Sequence, residues 1–243
     1  MLTDVPAEEL AVALDRTAAR ILKRAFVRRP PVDTLRLAEA LGIQTATDRS
    51  QDVRARYVEL RAARGGSPRP AILLRPEPRA ERRHWAVAHE VGEQNAMEVF
   101  RRLKVCPADT PAETREWIAN QLAARILLPV RWVERVGRAC DWDLASLKTR
   151  FNTASHELIL RRMLDYEPRI VVSIYDHGNL TYRRSNACAQ LPPVTPLEAE
   201  CWRAAHSTGQ AQSRRGAGQS IRGWAVHEEG WKRELLRLEL EEE

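Results

Sequence analysis

The sequence predicts an α+β fold: a mainly helical body carrying a small edge sheet, followed by a smaller mixed module. Three observations lead there. Apolar residues recur at helical spacing through the first two-thirds, as at Leu10, Leu14, Ala18, Ile21 and Leu22. Short β-type runs bounded by turn residues occur in pairs, at residues 55–60 with 71–74 and at 169–175 with 180–183. Near residue 165 the pattern changes from helical to alternating, and a Pro-rich stretch follows at residues 191–196. Two domains are therefore expected, residues 1–165 and residues 166–243.

The elements follow in order. Residues 6–28 read as the first helix, and Pro30-Pro31 breaks it. A shorter helix buries Leu35, Leu37, Ala38 and Leu41, with Gly42 as its stop. The segments 55–60 and 71–74 form a hairpin at the edge of a small sheet, turned by Arg64-Gly65-Gly66-Ser67-Pro68. Residues 81–103 are the central helix, and residues 113–128 the next, closed by Pro129. Short helices fill residues 132–164, where the spacing fits a helix-turn-helix and equally a plain bundle; the bundle is preferred. Asp176-His177-Gly178-Asn179 is a hairpin turn between two strands. After the Pro-rich stretch come an acidic helix, a loop containing Gly and Arg, and a Trp-rich end. No internal repeat is present.

Composition narrows the class. Of 243 residues, 44% are hydrophobic and 30% charged, with 14 Pro and 11 Gly, which excludes collagen-like, low-complexity and disordered chains. No apolar run approaches the ~18–20 residues of a membrane span. The first residues lack a basic-then-apolar signal, so a cytoplasmic location is expected. Lys and Arg number 39 against 33 Asp and Glu, a net charge of +6. The excess is arginine scattered along the chain, which reads as a solvated surface rather than a DNA-binding stripe. Cys106, Cys140, Cys188 and Cys201 contain no C-x-x-C pair and read as buried, reduced thiols.

The chemistry-bearing segment is Arg83-His84-Trp85-Ala86-Val87-Ala88-His89-Glu90-Val91-Gly92-Glu93. On a helix, positions 89 and 93 lie one turn apart on one face, so both can reach one metal ion, with Glu90 beside them to deprotonate a water. This is the H-E-x-x-H arrangement of zinc peptidases with glutamate as the second ligand. Alone, H-E-x-x-E occurs by chance, and His89 and Glu93 also suit an ordinary polar helix face. His84, five residues earlier, points elsewhere. His156 and His177 read as surface histidines, Trp85 and Trp117 as core beside the site, and Cys201 with His206 as no metal pair.

A second segment changes the weighing: Glu116-Trp117-Ile118-Ala119-Asn120-Gln121-Leu122-Ala123-Ala124-Arg125-Ile126-Leu127-Leu128-Pro129. With it the chain resembles the ImmA/IrrE family of metallo-endopeptidases, bacterial and phage proteases that cleave transcriptional repressors. The matches are Arg83, Ala88, His89, Glu90 and Gly92, then Glu116, Ala119, Asn120, Ala123, Ala124, Leu127, Leu128 and Pro129. Residues 31–43 resemble the family's N-terminal helix, and Leu147, Arg150-Phe151-Asn152, Ser155 and Arg162 its helix-turn-helix-like segment.

The resemblance implies a zincin-like metallopeptidase core. It implies His89 and Glu116 as metal ligands, Glu90 as general base, and a helix-turn-helix repressor as protein substrate. The family has histidine where this chain has Glu93. Glutamate still ligates zinc, but two carboxylates neutralise the ion, weaken its Lewis acidity and shift preference toward harder ions such as Mn2+. Zn2+, with Mn2+ as the alternative, is the expected cofactor. A non-catalytic regulator that has lost turnover through Glu93 is the second expectation, and a DNA-binding module the third.

Overall fold

The computed structural model describes residues 4–61, 68–166, 168–188, 190, 191, 193–216 and 218–240. The chain divides into two compact units, Met1–Ser155 and His156–Glu243. The fold is α+β.

In the first unit, α1 (Ala7–Arg24) buries Leu14, Ala18, Ile21 and Leu22 along one stripe. It stops four residues before the expected end, because Phe26 takes a left-handed conformation at φ +56°. α2 (Thr34–Ala40) starts at Asp33, whose carboxylate accepts from the Leu35 and Arg36 amides at 3.0 and 3.1 Å. Leu37 and Ala38 are buried on it, whereas Leu35 and Leu41 are only half-buried.

A strand that the sequence did not announce follows: β1 (Gln44–Thr47), with all four residues exposed. It runs parallel to β3 (Arg69–Leu74), which pairs antiparallel with β2 (Ala55–Leu60), giving the order β1-β3-β2. The expected hairpin is thus present, with β3 central rather than at an edge. Its expected turn at residues 64–67 lies outside the described residues.

Four helices complete this unit: α3 (Ala80–Leu103), α4 (Ala112–Leu127), α5 (Val130–Ala139) and α6 (Leu144–Arg150). α1 packs on α3 and α4, and Leu14, Val99, Phe100, Ile118 and Leu122 share one core. Arg125 pairs with Asp15 at 3.2 Å, joining α4 to α1. Arg20 reaches Asn95 at 3.1 Å and Glu98 at 2.5 Å, joining α1 to α3.

The second unit opens with α7 (His156–Arg162), so the residues expected as a helix-turn-helix are divided between α6 in one unit and α7 in the other. β4 (Ile170–Asp176) and β5 (Asn179–Ser185) form the expected hairpin. His177 at φ +50° and Gly178 at φ +82° supply the two left-handed positions of its turn. α8 (Pro196–Thr208) is capped by Thr195, with Glu198 completing a capping box.

Three strands then replace the expected loop and Trp-rich end: β6 (Gln212–Gly216), β7 (Gln219–Glu228) and β8 (Trp231–Leu240). The antiparallel sheet has the order β5-β4-β8-β7-β6, so the last strand lies at its centre. α8 packs on β6, β7 and β8, with Cys201 buried among Tyr175, Ile221 and Leu236. Burial pushes the Cys201 thiol up to about 11, so it stays protonated. Cys106 is exposed and Cys140 and Cys188 half-buried, so only Cys201 fits the buried reading.

His84 joins α3 to the start of α2. Its Nδ1 accepts the Thr34 amide at 3.3 Å, so that nitrogen carries a lone pair. Burial lowers its pKa below the ordinary histidine value. Below about pH 6.5 the unfolded chain takes up a proton that the folded chain resists, so stability falls as pH drops through that value. Urea midpoints compared at about pH 7.5 and about pH 5.5 should fall less in His84→Gln than in the parent.

Candidate metal centre

The site is built on α3 and α4, and their approach is set by Gly92. A Cβ on Gly92 would lie 2.7 Å from the Ala119 carbonyl oxygen and 3.2 Å from Leu122 Cβ. Any side chain at 92 therefore drives the helices apart. Ala119 and Ala123 on the facing helix are also small and fully buried. This close contact brings the residues one turn either side of Gly92 against those flanking Ala119.

His89, half-buried, projects from α3 toward α4. Its Nδ1 lies 3.1 Å from Asn120 Oδ1, and its Nε2 lies 3.5 Å from Glu116 Oε2. Asn120 Nδ2 donates to Glu116 Oε1 at 3.1 Å. A carboxylate oxygen can only accept, so the amide nitrogen of Asn120 must face Glu116 and its oxygen must face His89. Nδ1 of His89 is then the protonated nitrogen, which leaves Nε2 directed at Glu116. Two lone pairs at that separation are matched either by a proton on Nε2 or by a cation between them. Asn120 thus holds the ring and the carboxylate together, an orienting role that metal-bound histidines commonly require.

Glu90, the next residue on α3, is buried. Its Oε2 accepts the backbone amide of Tyr57 at 2.9 Å, so β2 fixes the carboxylate from the strand side. Burial raises the Glu90 pKa above the ordinary carboxylate value, and the nearby charges of Glu93 and Glu116 push it the same way. Glu93 lies on the same face, one turn from His89, with Arg115 at 3.7 Å. Ligating atoms of His89, Glu90 and Glu93 all fall within 4.8 Å of one another. An imidazole nitrogen with carboxylate oxygens is a donor set that both Zn2+ and Mn2+ accept.

The remaining candidates lie elsewhere. His84 is occupied by Thr34 and does not enter the site. Trp85 is half-buried, but Trp117 is 43% exposed and is not core, since its neighbour Ile118 takes the buried position. His177 stands edge-on to the Trp231 ring at 4.5 Å, in the second unit. His206 does join a potential metal group, though with His227 and Glu234 rather than with Cys201. No local spacing reveals that trio, because the sheet register and α8 assemble it. Asn120 was matched without a role; its signal was the one-turn spacing from Glu116.

Among known proteins, no family model matches this chain, and no curated protein matches it. Its fold is similar to that of a solved structure described as a Mycobacterium tuberculosis transcriptional regulator. The TM-score is 0.64 at 16% sequence identity, over 94% of this chain and 75% of that one. The likeness is one of fold.

Gly92→Ala should destabilise the protein by about 1–3 kcal/mol, the usual range for an overpacked contact. Chemical denaturation checks the stability. Separately, histidine NMR should show the His89 ring losing its Asn120 hydrogen bond as the helices separate.

Proposed function

We propose that the first unit is a metal-dependent peptide hydrolase of the type that the ImmA/IrrE resemblance suggests, acting in the cytoplasm on a helix-turn-helix repressor. The observation that carries this reading is the His89–Asn120–Glu116 chain of contacts, with Glu93 on the same helix face and Glu90 buried beside it. His89, Glu93 and Glu116 would hold a Zn2+ or Mn2+ ion, and Asn120 would fix two of the three. When bound, such an ion supplies Lewis acidity toward a peptide carbonyl and a water.

The chain's own residues then do the proton work. Glu90 accepts a proton from the attacking water on the oxygen not engaged by Tyr57. It then delivers that proton to the leaving amine nitrogen as the C–N bond breaks. Its raised pKa suits that task, since a base nearer neutrality gives the proton back more readily. The Tyr57 amide keeps the carboxylate aimed at the site through both transfers. The regulator description of the structural neighbour supports placing this activity in transcriptional control, as does the family's substrate class.

One observation favours a second reading, a regulator that keeps the fold without turnover. Arg115 sits beside Glu93, the position at which this chain departs from the family pattern, and offers that carboxylate a partner other than a metal.

The two readings separate on a repressor encoded beside this chain, incubated with the protein and either Zn2+ or Mn2+. Cleavage by the parent, abolished in Glu90→Gln with metal content unchanged, is the expected outcome. Glu93→His should bind zinc more tightly and cut about tenfold faster, equivalent to roughly 1.4 kcal/mol of transition-state stabilisation. If Glu93→His binds zinc tightly and neither form cuts the repressor, the regulator reading replaces the peptidase one.

A further inference from the structure

The second unit contains a group of side chains that the peptidase reading leaves unused. Glu234 on β8 is fully buried, with a side-chain exposure of 0%. β7 pairs antiparallel with β8 so that Ala225 faces Glu234, which puts His227 two residues further along the same sheet face. α8 packs over β7 and β8 and brings His206 and Trp202, one turn apart, onto that face. Three elements therefore aim four side chains at one place.

The contacts are specific. One carboxylate oxygen of Glu234, Oε1, lies 3.0 Å from His206 Nδ1 and 2.7 Å from His227 Nε2. The other, Oε2, accepts from the Trp202 indole N–H at 3.2 Å. Trp202 is itself held by stacking on Tyr175, with ring centroids 4.9 Å apart. The indole bond fixes the carboxylate so that Oε1 always faces the two imidazoles.

A carboxylate taken out of water needs a compensating charge, and among the described residues the side chains that contact Glu234 are two imidazoles and an indole. Imidazole and indole N–H groups bring dipoles rather than a fixed charge. A divalent cation supplies the missing charge, and the ligating atoms of His206, His227 and Glu234 already lie within 4.8 Å of one another. Two histidines and one carboxylate form a donor set that Zn2+ takes with a fourth position left open. The imidazoles select against Mg2+ and Ca2+, which prefer oxygen. The histidine side chains remain 34% and 21% exposed, so an ion can enter from solvent. A fixed indole donor on the far carboxylate oxygen is the outer-shell support such sites require.

We propose that His206, His227 and Glu234 form a second metal site, for Zn2+ or a transition ion of similar character, in the C-terminal unit. This site stands apart from the candidate peptidase centre and does not depend on that reading. Zinc tightens the unit by replacing the two histidine–carboxylate hydrogen bonds between α8, β7 and β8 with coordination bonds across the same elements, so occupancy reports available metal through the stability of this unit.

Zinc stoichiometry of the untagged full chain, measured by competition with a chromophoric chelator at micromolar free zinc, tests the site. One equivalent should persist in His89→Ala and be lost in His227→Ala. If the first unit binds no metal, the parent still holds this one equivalent, so failure of the peptidase reading leaves the result legible. Because His227→Ala can unfold the sheet, the parent labelled with 15N-histidine gives a second readout. The ring nitrogens of His206 and His227 should shift together on adding one equivalent of zinc. Unmoved ring signals, or zinc retained in full by a folded His227→Ala, overturn the proposal and leave a hydrogen-bonded triad.

Discussion

The contact between α3 and α4 at Gly92 is the constraint on which the first unit depends. Helix pairs usually keep their backbones apart with side chains, and here the Ala119 carbonyl occupies the place of a Cβ. That closeness sets the distances from His89 to Asn120 and to Glu116, which side-chain flexibility alone would leave loose. α1 then lies over both helices, and its ion pairs to Arg125 and Glu98 fix the pair from behind. The three-stranded sheet meets the other side of α3, where the Tyr57 amide reaches Glu90. A single missing side chain thus connects the packing of the core to the geometry of the polar cluster.

Three buried carboxylates illustrate three ways of making such a group tolerable. Glu198 is met by the Arg183 guanidinium, whose Nη1 donates to Oε1 and whose Nη2 donates to Oε2 at 3.0 Å, and by the Thr195 amide, which donates to Oε2 at 3.0 Å, so both its oxygens are satisfied. It is structural, and it locks the start of α8 to β5. Glu90 receives one backbone donor and keeps an oxygen free, with the raised pKa that burial brings. Glu234, among the described residues, receives imidazole and indole donors. The first is matched by a guanidinium, the second has one backbone donor under a burial that raises its pKa, and the third meets no guanidinium or ammonium among the described residues. Their differences follow from the donors that surround them, which no composition or motif records.

Much of the first unit was legible because its helices carry strong periodic patterns. The α4 segment and the H-E-x-x-E of α3 sit on buried helices whose spacing directly gives relative direction. β1 was not legible: four polar or small residues, all exposed, become a strand only because β3 offers its backbone edge. β6, with its Gln-Ser-Arg-Arg-Gly sequence, is a strand for the same reason, held by β7. β8 was obscured differently. Its run of buried residues includes Glu234 and Arg237, charges that a sequence reading assigns to solvent. The site was legible in its helical part and silent where tertiary packing decides, at the Tyr57 amide. Trp117 misled because a large aromatic was taken for core, when Ile118 already filled that position.

Glu93 decides how the two readings of the first unit compare physically. Its carboxylate adds negative charge where Glu90 and Glu116 already stand, and both Glu93 and Glu116 push the Glu90 pKa upward. Such crowding favours any cation that enters. Arg115 is one, but at 3.7 Å, with both side chains well exposed, it is a surface pair worth about 0–1 kcal/mol. A divalent ion held at once by Glu93, Glu116 and His89, as proposed, would outweigh a single weak guanidinium contact, which would make Arg115 a poor competitor for the position. The greater consequence lies in charge balance. On the proposed reading, two carboxylate ligands would neutralise an ion that one carboxylate and two histidines would leave at net +1, so its pull on a substrate oxygen would be weaker. If the proposed site holds, glutamate rather than histidine at 93 would alter the strength of the chemistry more than the capacity to hold a metal.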